Sequence, residues 1–407
     1  MTVDFPVIIS KGCGLDVHQN SIVAAIKGTD IKDEVKTFGT FTEEIYQLVT
    51  WLQSMGISHV AMESTGIYWK PVYNILEDYF TIILVNARHI KNVPGHKTDK
   101  KDSLWIAKLL MSGLLKGSFI PKEDIRELRE LHRMRRKLIH MRTTIKNRLQ
   151  NILESANIKL ASVVSDVFGK TGQDIIYSIL QGQTNPSILA DLARGSLRGK
   201  KDLLRKALNG RITNHHIFML KLEIESINHI NSQIAQLEAQ MDNYLMPYIE
   251  DVNLLTTIPG VSKQIASGII AEIGTEMEKF GSHKQLSSWA GVCPGNNESA
   301  GKKYSSRVNP GNKYLKTTLV EAAWAASRSK TNTTYAIKHK SISSKRGQKK
   351  ATIAIGHKIL IAAYHILRDK VPWTDYLKLD PKIIQLQRMK SIERLEKQIL
   401  RLKANVL

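Results

Sequence analysis

Four carboxylates carry the types and spacing of a cation-assisted phosphoryl-transfer site. Asp16 lies in KGCGLDVHQN and Glu63 in HVAMESTGIYW, each closing or interrupting an apolar run of strand character. Asp99 and Asp102 lie in GHKTDKKDSLW, three residues apart at the start of a helical pattern, and so share one helix face. Clustered carboxylates suit a hard divalent cation, and Mg²⁺ is the expected cofactor because it can sit beside a phosphate and offset its charge. Each acid taken alone reads equally as an exposed charge or a helix cap. A second group lies in 287–326, a polar stretch too long to be a simple connection. There Ser299, Lys302, Lys303, Ser305, Ser306 and Arg307 stand between Pro294-Gly295 and Pro310-Gly311. A serine hydroxyl attacking phosphorus needs such cations, since negative charge builds on the phosphate oxygens. The simpler alternative is a phosphate-binding surface.

The balance of charge says whose phosphate this is. Over 407 residues the chain has 59 Lys plus Arg against 37 Asp plus Glu, a net +22. A surplus of that size favours a nucleic acid, through release of its counterions. Only Cys13 and Cys293 are cysteines, far apart and without a ligand partner at zinc spacing, which excludes a disulfide framework and suits a reducing cytoplasm. The opening MTVDFPVIIS does not read as a signal peptide. The most apolar stretch, 351–367, is interrupted by His357 and Lys358 and reads as a buried helix, so no membrane is expected as partner.

The elements that must position these residues follow from periodicity. Residues 6–120 give the order β-β-β-α-β-α-β-α, which predicts a mixed sheet with helices on its faces. The first helix has Thr42 as its expected N-cap and Gly56 as its stop. Over 125–157, Leu128, Leu131, Met134, Leu138, Met141, Ile145, Leu149 and Ile152 form the seam of a long coiled-coil-like helix. Its other faces are dense in cations, of which Arg133, Arg136 and Lys137 are expected to meet nucleic-acid phosphate, although a solvated surface would read the same way. Residues 158–215 give only short helices. A second seam runs from Ile217 to Leu245 and includes Asn231, an amide able to fix register. Pairing of the two long helices within one chain or between two stays open. Residues 252–274 read as a helix-hairpin-helix that aims amides at a phosphate, or as a plain turn broken by Gly260. The expected division is 1–124, 125–249, 250–375 and a helical tail, 376–407, that pairs within the chain or between subunits. Tyr68 and Trp69 read as core rather than as a base-stacking pair, and His18 and His96 as surface histidines near the acids.

Taken in order, GLDVH, MESTGIYW, KTDKKD, TTIPGV and ESAGKK resemble the DEDD-type insertion-sequence transposases, over about residues 8–155 and 250–370. The resemblance implies an RNase H-like, RuvC-like α/β N-terminal domain and largely α-helical middle and C-terminal domains. It implies that Asp16, Glu63, Asp99 and Asp102 hold Mg²⁺ and that Ser299 is catalytic, with Lys302, Lys303 and Arg307 beside it. Ala300 departs from the commoner glycine of the family's serine signature and leaves Ser305 and Ser306 as weaker candidates. It further implies donor and target DNA as substrates, a bridge RNA as guide, and a cytoplasmic, nucleoid-associated homo-oligomer, dimer or tetramer, of a bacterium or archaeon. Two rival readings stand beside a serine recombinase. One is an Mg²⁺-dependent junction resolvase with water as nucleophile; the other is a non-catalytic nucleic-acid scaffold.

Overall fold

A computed structural model describes residues 8–64, 66–86, 99–295, 297–299, 302–305, 308, 310–329 and 333–375, with six further positions between 385 and 396. The chain divides into two compact units, 1–120 and 121–407.

In the first unit, β1 (Lys11–Val17), β2 (Ile22–Gly28) and β3 (Glu34–Phe38) run antiparallel across short polar turns. After α1 (Thr42–Ser54), β4 (His59–Glu63) joins β1 in parallel, and after α2 (Trp69–Leu76), β5 (Thr81–Val85) joins β4 in parallel. The sheet order is β3-β2-β1-β4-β5, and α3 (Asp99–Met111) follows. This is the expected element order and the expected mixed α/β architecture. Strand alternation sorts the side chains between two faces. Cys13, Leu15, Val17, Val60, Met62 and Leu84 share a core with Ile45, Leu48 and Leu52 of α1. On the opposite face Ala61 and Ile83 pack with Ile106 and Leu110 of α3. Both faces are covered, which is why the central strands read as unbroken apolar runs. One detail differs from expectation. The N-cap of α1 is Phe41, not Thr42, because Glu44 reaches back to accept from the Phe41 N–H at 3.0 Å. Gly56 ends that helix with φ +66°, as expected.

In the second unit α4 (Glu123–Ser155) and α8 (Asn214–Leu245) are paired within this chain. Arg135 with Glu238, Arg142 with Asn231 and Arg148 with Glu223 make the pair antiparallel. The seam drifts from the strict heptad, as a 3.6-residue helix must. It runs through Leu128, Leu138, Ile145, Leu149 and Leu153, while Met134 and Met141 are 45% and 52% exposed. On α8 the seam position belongs to Ile230; Asn231 is exposed and accepts from Arg142 Nη1 at 2.8 Å. Between the two, α5 (Lys170–Leu180), α6 (Pro186–Asp191) and α7 (Lys201–Ala207) close one end of the hairpin around a shared apolar core.

There follow α9 (Ile249–Thr256), α10 (Lys263–Ile273), α11 (His283–Trp289), the hairpin β6 (Asn297–Ser299) and β7 (Lys302–Ser305), α12 (Lys313–Ser327), α13 (Thr334–Arg346) and α14 (Gln348–Asp369). The turn between α9 and α10 carries Gly260 at φ +85°, where an added Cβ would stand 2.4 Å from the Ala322 carbonyl and 2.5 Å from the Ala326 nitrogen. That glycine serves backbone packing against α12. Residues 351–367 form the buried α14, and among the described residues no helix is long and apolar enough to cross a membrane. The expected tail helix falls almost wholly outside the described residues.

Candidate active site

Two glycines let helix α3 approach the strand that carries Asp16. On β1, Gly12, Gly14 and Asp16 alternate onto one face. A Cβ on Gly12 would meet Leu110 Cδ2 at 2.8 Å; one on Gly14 would meet the Ser103 carbonyl at 2.2 Å and the Ala107 nitrogen at 2.5 Å. Helix α3 therefore rides directly on the β1 backbone, with Leu110 over Gly12 and Ser103 over Gly14. It runs antiparallel to the strand. Continuing by two strand residues places its first turn, with Asp99 and Asp102, toward Asp16. On β4, Ala61 packs against Ile106 and Leu110, so Glu63 two residues later faces the same side. The parallel register, Leu15 opposite Met62, sets Glu63 level with Asp16. The backbone thus sets Asp16 and Glu63 level on one face of the sheet and turns the start of α3 toward Asp16.

The side chains refine this. Asp16 is 17% exposed, and its Oδ2 lies 3.2 Å from His18 Nε2, which draws His18 into the acidic group. Asp102 is half-buried, whereas the Asp99 side chain lies outside the described residues, as does His96. Among the described residues no three His, Cys, Asp or Glu side chains stand at metal-holding distance of one another. Asp16, Glu63 and Asp102 are carboxylates, the donor type that a hard divalent cation takes. Burial pushes the Cys13 thiol far up, on the opposite face of β1, and makes it an inert core residue. Trp69 packs against the core with an edge-to-face contact to Tyr73, while Tyr68 is 41% exposed.

Ser299 ends β6 and pairs with Lys302, the first residue of β7. Lys302 is exposed; the Ser299 and Lys303 side chains, and Ser306 and Arg307 entirely, lie outside the described residues. The loop that carries this hairpin leaves and returns at one point. A Cβ on Gly311 would stand 2.4 Å from the Gly291 nitrogen, so the two feet of the loop touch backbone to backbone. The next residue, Asn312, caps α12 by accepting from Tyr314 and Leu315 N–H at 3.0 and 3.1 Å. Its amide also donates to Glu272 Oε2 at 2.5 Å, which fastens the loop to α10. The four acids belong to the first unit and Ser299 to the second.

The arginines of α4 have internal partners. Glu272 is 3% exposed. Arg133 donates to it in a bidentate pair at 2.9 and 2.8 Å and lies over the Tyr314 ring. Arg129 donates to the Ala271 and Glu272 carbonyls at 3.0 and 2.9 Å, satisfying the end of α10. Burial lowers the Arg129 guanidinium to about 10, still charged at neutral pH. Arg136 donates to the Tyr314 carbonyl and Thr318 Oγ1, both at 3.3 Å, and pairs with Glu321 at 3.5 Å. Arg133 and Arg136, expected at phosphate, thus hold α10 and α12 against α4; Lys137 is exposed. His132 meets Ser267 Oγ at 2.5 Å, and burial lowers it to about 4. His132, Arg133, Arg136, Glu272, Tyr314 and Thr318 line a polar cleft of about 360 Å³. Sequence reasoning passed over both Gly14 and Glu272. The signals were two glycines at strand spacing in KGCGLD and one acid inside the apolar run IASGIIAEI.

Two family models match the chain. Residues 13–158 match a transposase model named for the DEDD domain of IS110, and residues 252–338 match the model described as transposase, IS116/IS110/IS902 family. Among solved structures, T. thermophilus RuvC in complex with a Holliday junction substrate is similar at 11% identity, covering 27% of this chain and all of that one, with a TM-score of 0.22; a likeness that slight carries no weight here. No curated protein matches the chain.

Proposed function

We propose, for a chain that belongs to the IS116/IS110/IS902 family of transposases and so to the enzymes that cut and rejoin DNA, two sets of catalytic residues. Asp16, Glu63, Asp99 and Asp102 would hold Mg²⁺, and Ser299 would be the nucleophile. The observation that carries this reading is the approach of α3 onto Gly12 and Gly14, which directs the start of that helix, with Asp99 and Asp102, toward the end of β1 that bears Asp16. Carboxylates are the donors a hard divalent cation takes, so acids placed toward one end of the sheet support a metal role. The bound cation would supply positive charge beside the phosphate oxygens.

The serine oxygen attacks phosphorus, the bond to the 3′ oxygen breaks, and the proton lost by the serine hydroxyl balances the one gained by the departing 3′ hydroxyl. The protein then holds one DNA end as a phosphoserine ester, and attack by a 3′ hydroxyl on that ester rejoins a strand. Lys302, Lys303 and Arg307, next to the serine in sequence, would stabilise charge on the phosphate. Recombination requires more than one cut, which favours a homo-oligomer, dimer or tetramer, and the basic surplus leaves capacity for a bridge RNA alongside donor and target DNA. A water-based resolvase is the second reading, favoured by the gathering of the acids inside one unit.

A suicide DNA substrate separates the two. Wild-type protein should form a covalent DNA adduct in Mg²⁺, and both Ser299→Ala and Asp16→Asn should abolish it with melting temperature unchanged. Strand cleavage without any adduct in the wild type would replace serine with water.

A further inference from the structure

Between Glu321 and Asp369 the sequence contains no acidic residue. Within that stretch α13 and α14 meet at a corner bearing Lys338, Lys340, Lys345, Arg346, Lys349 and Lys350, all exposed. Among the described residues none of the six enters an ion pair. All but Lys338 lie beyond the residues matched by either family model. The corner is braced. Gly347, at φ +82°, donates to the Ser343 carbonyl at 3.0 Å and accepts from the Ala351 N–H at 3.2 Å. His339, 8% exposed, meets Thr352 Oγ1 at 3.2 Å and packs on Trp324, locking α13 to α14 and to α12.

A fixed cluster of cations with no acid to neutralise it stores repulsion that a polyanion relieves. Lys338 and Lys345, seven residues apart, lie roughly 10 Å from each other along α13. Duplex DNA offers about one phosphate charge per 1.7 Å of axis, enough to engage the whole corner at once. Among the described residues of α13 and α14 no tyrosine offers a stacking surface: Tyr335 is 6% and Tyr364 4% exposed. That disfavours single strands, which are held largely by stacking. We propose that the α13–α14 corner is a sequence-independent clamp on the phosphate backbone of duplex DNA. The inference rests on the reading of this chain as an enzyme acting on DNA.

The test uses the full chain and fluorescence anisotropy on duplexes of unrelated sequence, with KCl varied between about 50 and 200 mM. The variant carries Lys345→Gln, Arg346→Gln, Lys349→Gln and Lys350→Gln together. Loss of four phosphate contacts should flatten the slope of log K against log salt by about 3 to 4 and weaken low-salt binding by at least about tenfold, equally for every sequence. Lys345→Arg with Lys349→Arg and Lys350→Arg, which keeps the charge, should leave the slope in place. The clamp is overturned if the wild type binds duplex and the Gln variant binds with the same slope and affinity, or if the Gln variant loses only binding to a structured RNA. A wild type that binds no duplex at any salt would overturn the DNA reading as well as the clamp.

Discussion

Helix α4 and the α13–α14 corner look alike as sequences and behave oppositely as structures. Both are runs of cations. On α4, Arg133 closes a bidentate pair with the buried Glu272, Arg135 pairs with Glu238 and Arg136 reaches Glu321. At the corner, lysines predominate and no acid is within the local sequence to meet them. The residue type follows the job. A planar guanidinium can satisfy carboxylate and carbonyl oxygens in fixed directions, as Arg129 and Arg133 do at the end of α10, whereas an ammonium on a flexible stem suits a hydrated, exposed contact. The density of positive charge therefore says little about where a polyanion binds until the available acids are counted too.

The comparison breaks first, if it breaks, at Glu272. Glu272→Gln should leave Arg133 and Arg129 without their carboxylate and cost about 3 kcal/mol, the usual scale for removing one partner of a buried ion pair. Urea unfolding checks this; a loss well under 1 kcal/mol would mean that α4 spends its arginines on solvent after all. A smaller effect is expected from pH. His132 faces inward from the same helix, against Ser267 with Arg135, Arg136 and Glu272 around it. Burial lowers it to about 4, so as pH falls below about 6.5 the unfolded chain takes up a proton that the folded chain refuses. Stability should be level above that range and decline between about pH 6.5 and 4, by on the order of 2 kcal/mol after allowance for incomplete burial. Melting curves on His132→Gln, which cannot titrate, should lose most of that decline. The smallest effect sharpens the contrast from the other side. Lys345→Ala at the corner should change unfolding free energy by no more than about 0.5 kcal/mol, since it touches nothing that the fold requires.

Much of the first unit was legible because its elements are short, apolar and separated by polar turns. The order of strands and helices, the end of α1 at Gly56 and the chain position of β4 before Glu63 all follow from local pattern. The α1 cap was misplaced by one residue because Glu44, not a hydroxyl, supplies the acceptor, and propensity alone favours Thr42. In the second unit periodicity revealed both long helices but not their partner, since heptad spacing is the same within a chain as between chains. It also put Asn231 in the seam, where the helical drift puts Ile230. The acids were legible as types and spacing. The close approach of α3 to β1 was not, because it depends on the absence of side chains at Gly12 and Gly14, and an absence has no periodicity.

The meeting of Gly311 with Gly291 brings the two feet of the serine-bearing stretch to one place on the scaffold. Two feet that meet let the length of chain between them change at little entropic cost. Residues could be inserted or exchanged there, as one changes the bit in a drill, while the chuck formed by the two glycines and the Asn312–Glu272 contact keeps its grip.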